Sequence, residues 1–247
     1  MDLQTTALAA AFFVIAALYA AVGQAGATGY IAALGLAGFA PLAMKTTALA
    51  LNLLVAAIGT FMFLHAGRLS WRNVWPFALL GFPFSLIGGA VQLPATLYYP
   101  IVGVILILAG AQLARSAWRK PQPDDTAPRL PPFWAALATG AVIGFVSGTT
   151  GTGGGVFLAP VILAMRWGNA RQTAATAAVY NMVNSGAALI GAYAIWDQIP
   201  TALPVWLVAV ALGGFAGAYA GARYLSDRWL RAILAALLLA SGLQLIW

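Results

Sequence analysis

Apolar residues along this chain form long unbroken runs instead of the spaced stripes that mark the buried face of a soluble helix. About 20 consecutive apolar residues are needed to cross a hydrocarbon core about 30 Å thick. Seven stretches carry almost no charge: residues 5–22, 46–64, 73–93, 97–114, 173–196, 203–222 and 232–247. The pattern therefore predicts an all-α polytopic membrane protein.

The order of the apolar runs is the same in the two parts of the chain. Each part opens with a run that glycines interrupt, residues 5–42 and 133–165, and three full-length helices follow. Between the parts lies a stretch rich in proline and charge, which is typical of a linker. We therefore divide the chain into a first membrane repeat (1–116), a linker (117–131) and a second membrane repeat (132–247).

Small and polar residues recur at matching places in the two repeats. The glycines of the first interruption return at an offset of 125, and a threonine and an asparagine return at an offset of 129. The matching sets are Gly23, Gly26 and Gly29 with Gly148, Gly151 and Gly154, and Thr47 and Asn52 with Thr176 and Asn181. Together with the shared order of segments, this recurrence indicates a duplication.

The distribution of Lys and Arg distinguishes two topologies. If each interrupted run crosses the membrane once, the charges divide evenly between the two sides and indicate no orientation. If each run enters and returns, as two spans or as a re-entrant hairpin, eleven of the twelve Lys and Arg residues lie on one side, and only Lys45 lies on the other. Cytoplasmic loops carry an excess of Lys and Arg, which favours the second topology. The linker is then cytoplasmic, both termini are extracytoplasmic, and the halves are inverted repeats, as in many secondary transporters.

The glycine-rich tips GQAGATG and GTTGTGGG form the predicted binding site. Short re-entrant arms bring the two tips together near the membrane midplane, and the helix after each tip directs free N–H groups at the centre, which favours an anion. For any single glycine, close helix packing is the alternative role. The candidate tip residues are Gly23, Gln24, Gly26, Thr28, Gly29, Gly148, Thr149, Thr150, Gly151, Thr152, Gly153 and Gly154.

Three further pairs complete the predicted substrate-binding set: Lys45 and Arg171, Thr47 and Thr176, and Asn52 and Asn181. The cationic pair lies between each short arm and the next long helix. There it either forms vestibules that concentrate anions or extends its charges to the membrane interface, and both interpretations stay open. The repetition of the asparagine pair favours a pore-lining role over helix–helix contact alone.

Composition excludes several classes of function. The chain is 62% hydrophobic and 7% charged, and its net charge of +7 comes from basic residues in short connections, where they determine topology and do not indicate nucleic acid. With one His and no Cys, a transition-metal permease is disfavoured, and no metal site is expected. No nucleophile–base constellation indicates an enzyme. There is no Glu, and all five Asp residues lie at ends or in connections, which excludes coupling through an intramembrane carboxylate.

The stretches GFVSGTTGTGGGVFLAPVILAM and NARQTAATAAVYNMVNSGAALIG resemble the glycine-rich motif and the following helix of the TauE/SafE family of sulfite exporters and anion permeases. The first half repeats a weaker version, AVGQAGATGY and PLAMKTTALALNLL, in which Gln24 and Ala27 interrupt the glycines and Lys45 replaces an expected small residue. The resemblance covers nearly the whole chain. It implies transport of sulfur-containing anions or small organic acids, such as sulfite, thiosulfate or organosulfonates.

These observations predict a multi-pass permease or exporter for small anions in the cell membrane. Its expected partners are a small anionic substrate and the lipid bilayer, with no nucleic acid and no cofactor, and a homo-oligomer is left open. Facilitated diffusion or movement of a protonated acid fits the lack of buried carboxylates. Two alternatives remain: a channel for small organic acids or neutral solutes, and a scaffold that transports nothing.

Overall fold

The computed structural model describes residues 2–21, 23–67, 69–118, 129–221 and 227–247. Within these ranges the chain forms helices and no strand, as the apolar runs predict. The helices are α1 (Leu3–Ala21), α2 (Ala27–Leu36), α3 (Pro41–His65), α4 (Trp71–Ala90), α5 (Ala95–Trp118), α6 (Phe133–Thr150), α7 (Gly155–Ala164), α8 (Ala170–Gly191), α9 (Leu203–Gly221) and α10 (Asp227–Ile246), with a 3₁₀ segment at Ala192–Gln198. The structure is that of an all-α polytopic membrane protein. Most of the predicted linker, residues 119–128, lies outside the described residues.

Helix length separates two kinds of element. Among the described residues, α1, α3, α4, α5 and α6 are long and apolar enough to cross a membrane. In contrast, α2 and α7 have 10 residues each. A helix of that length is only about 15 Å long at 1.5 Å per residue, so it enters a bilayer without crossing it.

Each short helix folds back along the long helix that precedes it. In the first turn of α1, the Gln4 side-chain amide donates to the carbonyl oxygen of Ala37, just after α2, at 3.2 Å. The backbone N–H of Arg129, before α6, donates to the carbonyl oxygen of Arg166, just after α7, at 3.0 Å. Each interrupted run therefore enters and returns at the same end of the bundle.

Helices of one repeat pair with helices of the other. Parallel pairs form between α1 and α9 and between α4 and α6, and antiparallel pairs form between α5 and α10 and between α3 and α8. The contacts that set these directions are Thr5–Trp206 and Ala17–Gly217 for α1–α9, Phe77–Gly140 and Ser85–Gly148 for α4–α6, Gly103–Gly242 and Gly110–Ala235 for α5–α10, and Asn52–Asn181 and Gly59–Ala178 for α3–α8.

These directions define two ends of the bundle. We call the end with Leu3 and Ile246 the terminal end, and the end with Trp118 and Phe133 the linker end. The α1–α2 hairpin opens at the terminal end, and the α6–α7 hairpin opens at the linker end. Their tips therefore approach each other inside the bundle.

Glycines on the helix faces allow backbones to touch, as is common between membrane helices. A Cβ atom on Gly140 of α6 would overlap the carbonyl oxygen of Phe77 in α4. A Cβ atom on Gly217 of α9 would overlap the carbonyl oxygen of Ala17 in α1. These contacts hold the long arm of each hairpin against a helix of the other repeat, which fixes the position of each tip.

Replacing Gly140 by Ala is expected to lower the melting temperature of the purified protein in detergent. The added methyl group overlaps the Phe77 carbonyl oxygen, and such overpacking costs about 1–3 kcal/mol. Gly186→Ala is the matched control, because its Cβ would lie 3.7 Å from Leu53 Cδ1, an ordinary contact. Unfolding followed by tryptophan fluorescence measures both variants, and equal melting temperatures would contradict the close α4–α6 contact.

Candidate functional site

The two helix breaks are built around glycines with left-handed backbone conformations. Gly26, just before α2, has a φ of 94°, and Gly151, just after α6, has a φ of 83°. Gly153 follows at 69°. Side chains rarely adopt such angles because their Cβ atoms crowd the neighbouring carbonyl oxygen. Glycine is therefore required where the chain turns from the long arm into the short helix.

Two asparagines join the tips across the molecular centre. The Asn52 side-chain oxygen accepts the backbone N–H of Ala27, the first residue of α2, at 3.0 Å. In the other repeat, the Asn181 side-chain oxygen accepts the N–H of Gly155, the first residue of α7, at 3.3 Å. The Asn52 amide also donates to the Asn181 oxygen at 3.1 Å. Each asparagine thus caps the short helix of its own repeat, and the two caps bond to each other.

The surroundings of this pair hold it in place. The Asn52 amide also donates to the hydroxyl oxygen of Ser185 at 2.8 Å. A Cβ atom on Gly153 would lie only 2.5 Å from Asn52 Nδ2 and 2.6 Å from Asn181 Oδ1. A side chain at that position would separate the asparagines, so this glycine permits the closest approach of the second tip.

The first N–H groups of α2 have no acceptor within the helix itself. The first hydrogen bond within this helix runs from the N–H of Tyr30 to the carbonyl oxygen of Gly26 at 3.0 Å. The N–H groups of Thr28 and Gly29 precede it, so the helix itself supplies them no acceptor. The Thr28 hydroxyl bonds the buried hydroxyl of Tyr19 at 2.8 Å.

A cavity of about 390 Å³ lies between α1, α3, α8 and α9. The two tips form its inner end, and from there it extends toward the linker end along Met62 and Ala66 of α3 and Ala218 of α9. On the terminal side of the tips, α4 packs against α8 instead. The tips therefore lie at the bottom of a cavity that extends toward one end of the bundle.

Polar groups of the cavity cluster at its inner end: Gln24, Thr28, Asn52, Thr152 and Asn181. Toward the linker end the walls are apolar or small, with Val55, Ile58, Met62 and Phe63 on α3. None of the described residues that line the cavity carries a charge. The arrangement offers neutral hydrogen-bond donors and two helix N-termini at the bottom, and an apolar wall above them.

Lys45 does not contribute to this cavity. It is only 1% exposed, and its ammonium group donates to the carbonyl oxygens of Gly88, Gly89 and Val91 at 3.1, 2.8 and 2.8 Å. Gly88 and Gly89 belong to the last turn of α4 and Val91 follows it, and carbonyls at the C-terminal end of a helix carry partial negative charge. The geometry contradicts an open vestibule at Lys45, because these carbonyls cover the ammonium group. Extension of the charge toward the membrane interface stays a prediction, since the side chain reaches Val91, the residue that follows α4.

The family model "Sulfite exporter TauE/SafE" matches residues 8–245, nearly the whole chain. The chain belongs to the sulfite exporter TauE/SafE family. This finding confirms the resemblance drawn from the glycine-rich stretches. Membership also identifies the chain as a membrane transporter, so the family points to transport and not to catalysis.

A protein of similar sequence supports the same class, that of membrane transporters. The "Probable membrane transporter protein y4hK" of Sinorhizobium fredii (strain NBRC 101917 / NGR234) is 64% identical over 247 residues, the full length of both chains. No solved structure matches the chain. The positions of the candidate residues in this TauE/SafE family member therefore come from its own helices and helix contacts.

The structure sorts the predicted tip residues into two groups. Those that line the cavity, together with the asparagine pair, are Gly23, Gln24, Gly26, Thr28, Asn52, Thr152 and Asn181. Those that leave room for neighbouring atoms are Gly29, Gly148, Gly151, Gly153 and Gly154. The hydroxyls of Thr149 and Thr150 donate to carbonyls of their own helix at 2.8 and 2.7 Å. For the second group, close packing accounts for the residue without a ligand.

Two of the three remaining predicted residues, Thr47 and Thr176, do not line the cavity. Both are buried, at 0% and 4% exposure. Arg171 lies in the first turn of α8, which the side chain of Asn169 caps at 2.9 Å. The side chain of Arg171 lies outside the described residues.

Two residues of the central network escaped the sequence analysis. Ser185 bonds Asn52, and Asn184 lies beside the second tip, where its Nδ2 is 2.9 Å from the position of a Cβ atom on Gly154. Both follow Asn181 by one helical turn, so they share its face of α8. That spacing is the sequence signal for these two residues, but repetition does not mark them, because the first repeat has Val55 and Ala56 at the matching positions.

Removal of either central asparagine is expected to destabilise the protein, because Asn52→Ala and Asn181→Ala each leave a buried N–H without its acceptor, which costs about 1–3 kcal/mol. The double variant should lose less than the sum of the single losses, with a coupling of about 0.5–3 kcal/mol. Denaturant or thermal unfolding in detergent measures the cycle. Thr60→Val is the control, because that buried hydroxyl has no hydrogen-bond partner. Strict additivity would show that the two amides act independently.

Proposed function

We propose that this protein transports small monovalent anions that carry an apolar body, and that the anion binds where the cavity meets the two tips. One observation carries the proposal. The inner end of the cavity combines the N-termini of two short helices with amide and hydroxyl groups. Free N–H groups and the helix dipole favour negative charge at such a place.

The chemistry of the cavity limits the charge of the solute. Transferring an ion out of water has a large desolvation penalty unless nearby groups compensate for it, and that penalty rises steeply with charge. A helix N-terminus acts as about half of a positive charge, and the described lining adds no cation. Two such termini match one negative charge far better than two. Monoanions are therefore favoured over dianions such as thiosulfate.

The shape of the cavity favours an organic solute. Its volume of about 390 Å³ exceeds what a bare oxyanion fills, and Val55, Ile58 and Met62 supply apolar contacts above the tips. An anion with several carbon atoms can place its charged group on the tips and its carbon chain along α3. Among the sulfur-containing anions that the family resemblance implies, organosulfonates meet both requirements.

The proposed topology is that of an inverted repeat in the cell membrane, with extracytoplasmic termini and a cytoplasmic linker. It is supported by the opposite ends at which the two hairpins open and by the parallel and antiparallel helix pairs. The described basic residues Arg72, Arg115, Arg129 and Arg166 belong to connections or helix ends at the linker end, which is the side that positive charge assigns to the cytoplasm. The cavity would then extend toward the cytoplasm.

A carrier fits this geometry better than a channel. The cavity extends toward the linker end, whereas α4 and α8 close the other side of the tips. A solute that crosses must therefore wait for the closed side to open. Counterflow, in which an unlabelled anion on one side drives accumulation of a labelled anion from the other, separates a carrier from a channel.

The test uses purified protein and proteoliposomes. Butane-1-sulfonate should raise the melting temperature in detergent, because a ligand at 100 times its Kd adds about 2.7 kcal/mol to the free energy of unfolding. Sulfate at equal ionic strength should not raise it. Proteoliposomes loaded with butane-1-sulfonate should accumulate the labelled anion by counterflow. Equal stabilisation by sulfate would refute the charge limit, and flux without counterflow would favour the channel.

A cavity-filling variant ties the result to the proposed site. Gly59 lies in the cavity wall, and the nearest atom to its Cβ position, Ala178 Cβ, is 4.0 Å away. Gly59→Phe should therefore fold normally and abolish both stabilisation and counterflow. Val142→Phe is the matched control, because Val142 is 64% exposed on the lipid-facing surface. Full transport by Gly59→Phe would remove the cavity from the pathway.

Single cysteines test the topology in a chain that has none of its own. A cysteine in place of Gln92, exposed between α4 and α5, is expected to react with an impermeant thiol reagent added outside cells. A cysteine in place of Asp124, in the linker, should react only after the cells are opened. Reaction of both from the same face would disprove the proposed orientation.

A further inference from the structure

The two sides of the tips differ in chemistry, although the repeats place corresponding residues there. Asn52 and Asn181 are 129 residues apart, and the same offset relates Val55, in the cavity wall, to Asn184 on the opposite side. It also relates Lys45 to Ala174. A Cβ on Gly151 would lie 2.9 Å from the Cα atom of Lys45. The linker side is therefore apolar, whereas the terminal side has a cation and an amide.

Helix α4 covers the terminal side. The Ser85 hydroxyl of α4 donates to the carbonyl oxygen of Asn184 at 2.8 Å. One turn further, a Cβ on Gly89 would overlap the carbonyl oxygen of Ala188. A Cβ on Gly191 of α8 would likewise overlap the carbonyl oxygen of Leu86. The two helices touch along their backbones, so no solute can pass between them in this conformation.

The polar groups under α4 have partners that an anion can replace. All three contacts of the Lys45 ammonium group are carbonyl oxygens at the end of α4. When α4 moves away, the ammonium group loses these partners inside the membrane. An uncompensated charge there is costly, so another negatively polarised group must take their place.

Asn184 is the second polar group on this side. It is 1% exposed, its side-chain oxygen and nitrogen make no hydrogen bond of full geometry to a described residue, and its amide interacts with the hydroxyl of Tyr180. The hydroxyl of its neighbour Tyr180 donates to the carbonyl oxygen of Gly140 at 2.7 Å. The Asn184 nitrogen lies 2.9 Å from the Cβ position of Gly154, the residue that precedes α7. A buried amide with no hydrogen bond of full geometry to a described residue therefore faces the second tip.

We propose that Lys45 and Asn184 form a second anion-binding position on the terminal side of the tips, which the end of α4 occupies in this conformation. The inference rests on the proposed transport function and takes the same class of solute, a small monoanion. While this side is closed, the carbonyl oxygens at the end of α4 occupy the place that the anion takes at Lys45. When α4 leaves α8, the anion replaces them, bound by the ammonium group, the Asn184 amide and the start of α7.

The first part of the experiment compares the KM for the anion at the two sides of the membrane. In proteoliposomes of one protein orientation, Lys45→Gln is expected to raise the KM for butane-1-sulfonate at least tenfold when the anion is presented at the terminal side. The KM at the linker side should change less than twofold. Lys45→Arg, which keeps the charge, should recover part of the affinity. A role in stability alone predicts no difference between the sides, and that outcome would overturn the proposal.

A second variant keeps the test decisive if the Lys45 variants fold poorly. Asn184→Leu conserves volume and removes only the amide, and it should raise the terminal-side KM in the same way. Thr46→Val is the matched control, since the Thr46 hydroxyl bonds only within its own helix, to Leu42 and Ala43. An unchanged terminal-side KM in Asn184→Leu would remove that residue from the position.

The last arm measures opening with symmetry-related cysteines. Val55→Cys should react from the linker side with a negatively charged methanethiosulfonate, and the reaction should block transport. Asn184→Cys should be unreactive from both sides, and adding Lys45→Gln should raise its reactivity at least tenfold from the terminal side only. An unreactive Val55→Cys would refute the open cavity and the proposed function with it. A reactive Val55→Cys beside an Asn184→Cys that Lys45→Gln leaves unchanged would refute only the second position.

Discussion

The structure depends on satisfying the backbone where two helices break inside the membrane. No water is available there to bond free N–H groups, so each break needs a partner from the protein. Asn52 and Asn181 supply these partners, each to the first N–H of its own repeat's short helix, and then bond to each other. One interaction therefore positions both tips, joins the repeats and forms the floor of the cavity.

The hydrogen bonds at the tips also explain how a site without a described cation can favour an anion. The asparagines use the first donor of each short helix, and the N–H of Thr28, which lines the cavity, has no acceptor within α2. Neutral donors bind a monoanion without the strong attraction that would hinder its release. A transporter must release its solute on every cycle, so moderate affinity is compatible with this chemistry.

Residues that match between the two repeats and residues that differ between them have different roles. The symmetric elements, the tips and the asparagines, form the centre. The asymmetric ones, Lys45 and Asn184 opposite Ala174 and Val55, distinguish the side that is closed from the side with the cavity. If the two sides had identical chemistry, the conformation open on one side and the conformation open on the other would be equally stable. The Lys45 contacts with the end of α4 favour one of the two arrangements.

The sequence alone determined the membrane class, the two interrupted apolar runs, the repeated residues and the family, because apolar length and glycine spacing act locally or through the lipid. It also identified Asn52 and Asn181 by their repetition. Only the tertiary structure decided which partners they bind, that Gly148 serves packing, and that Lys45 ends on the carbonyls of α4. Those outcomes depend on how helices distant in sequence approach, and the approach is set by backbone contacts at glycines whose partners no local pattern specifies.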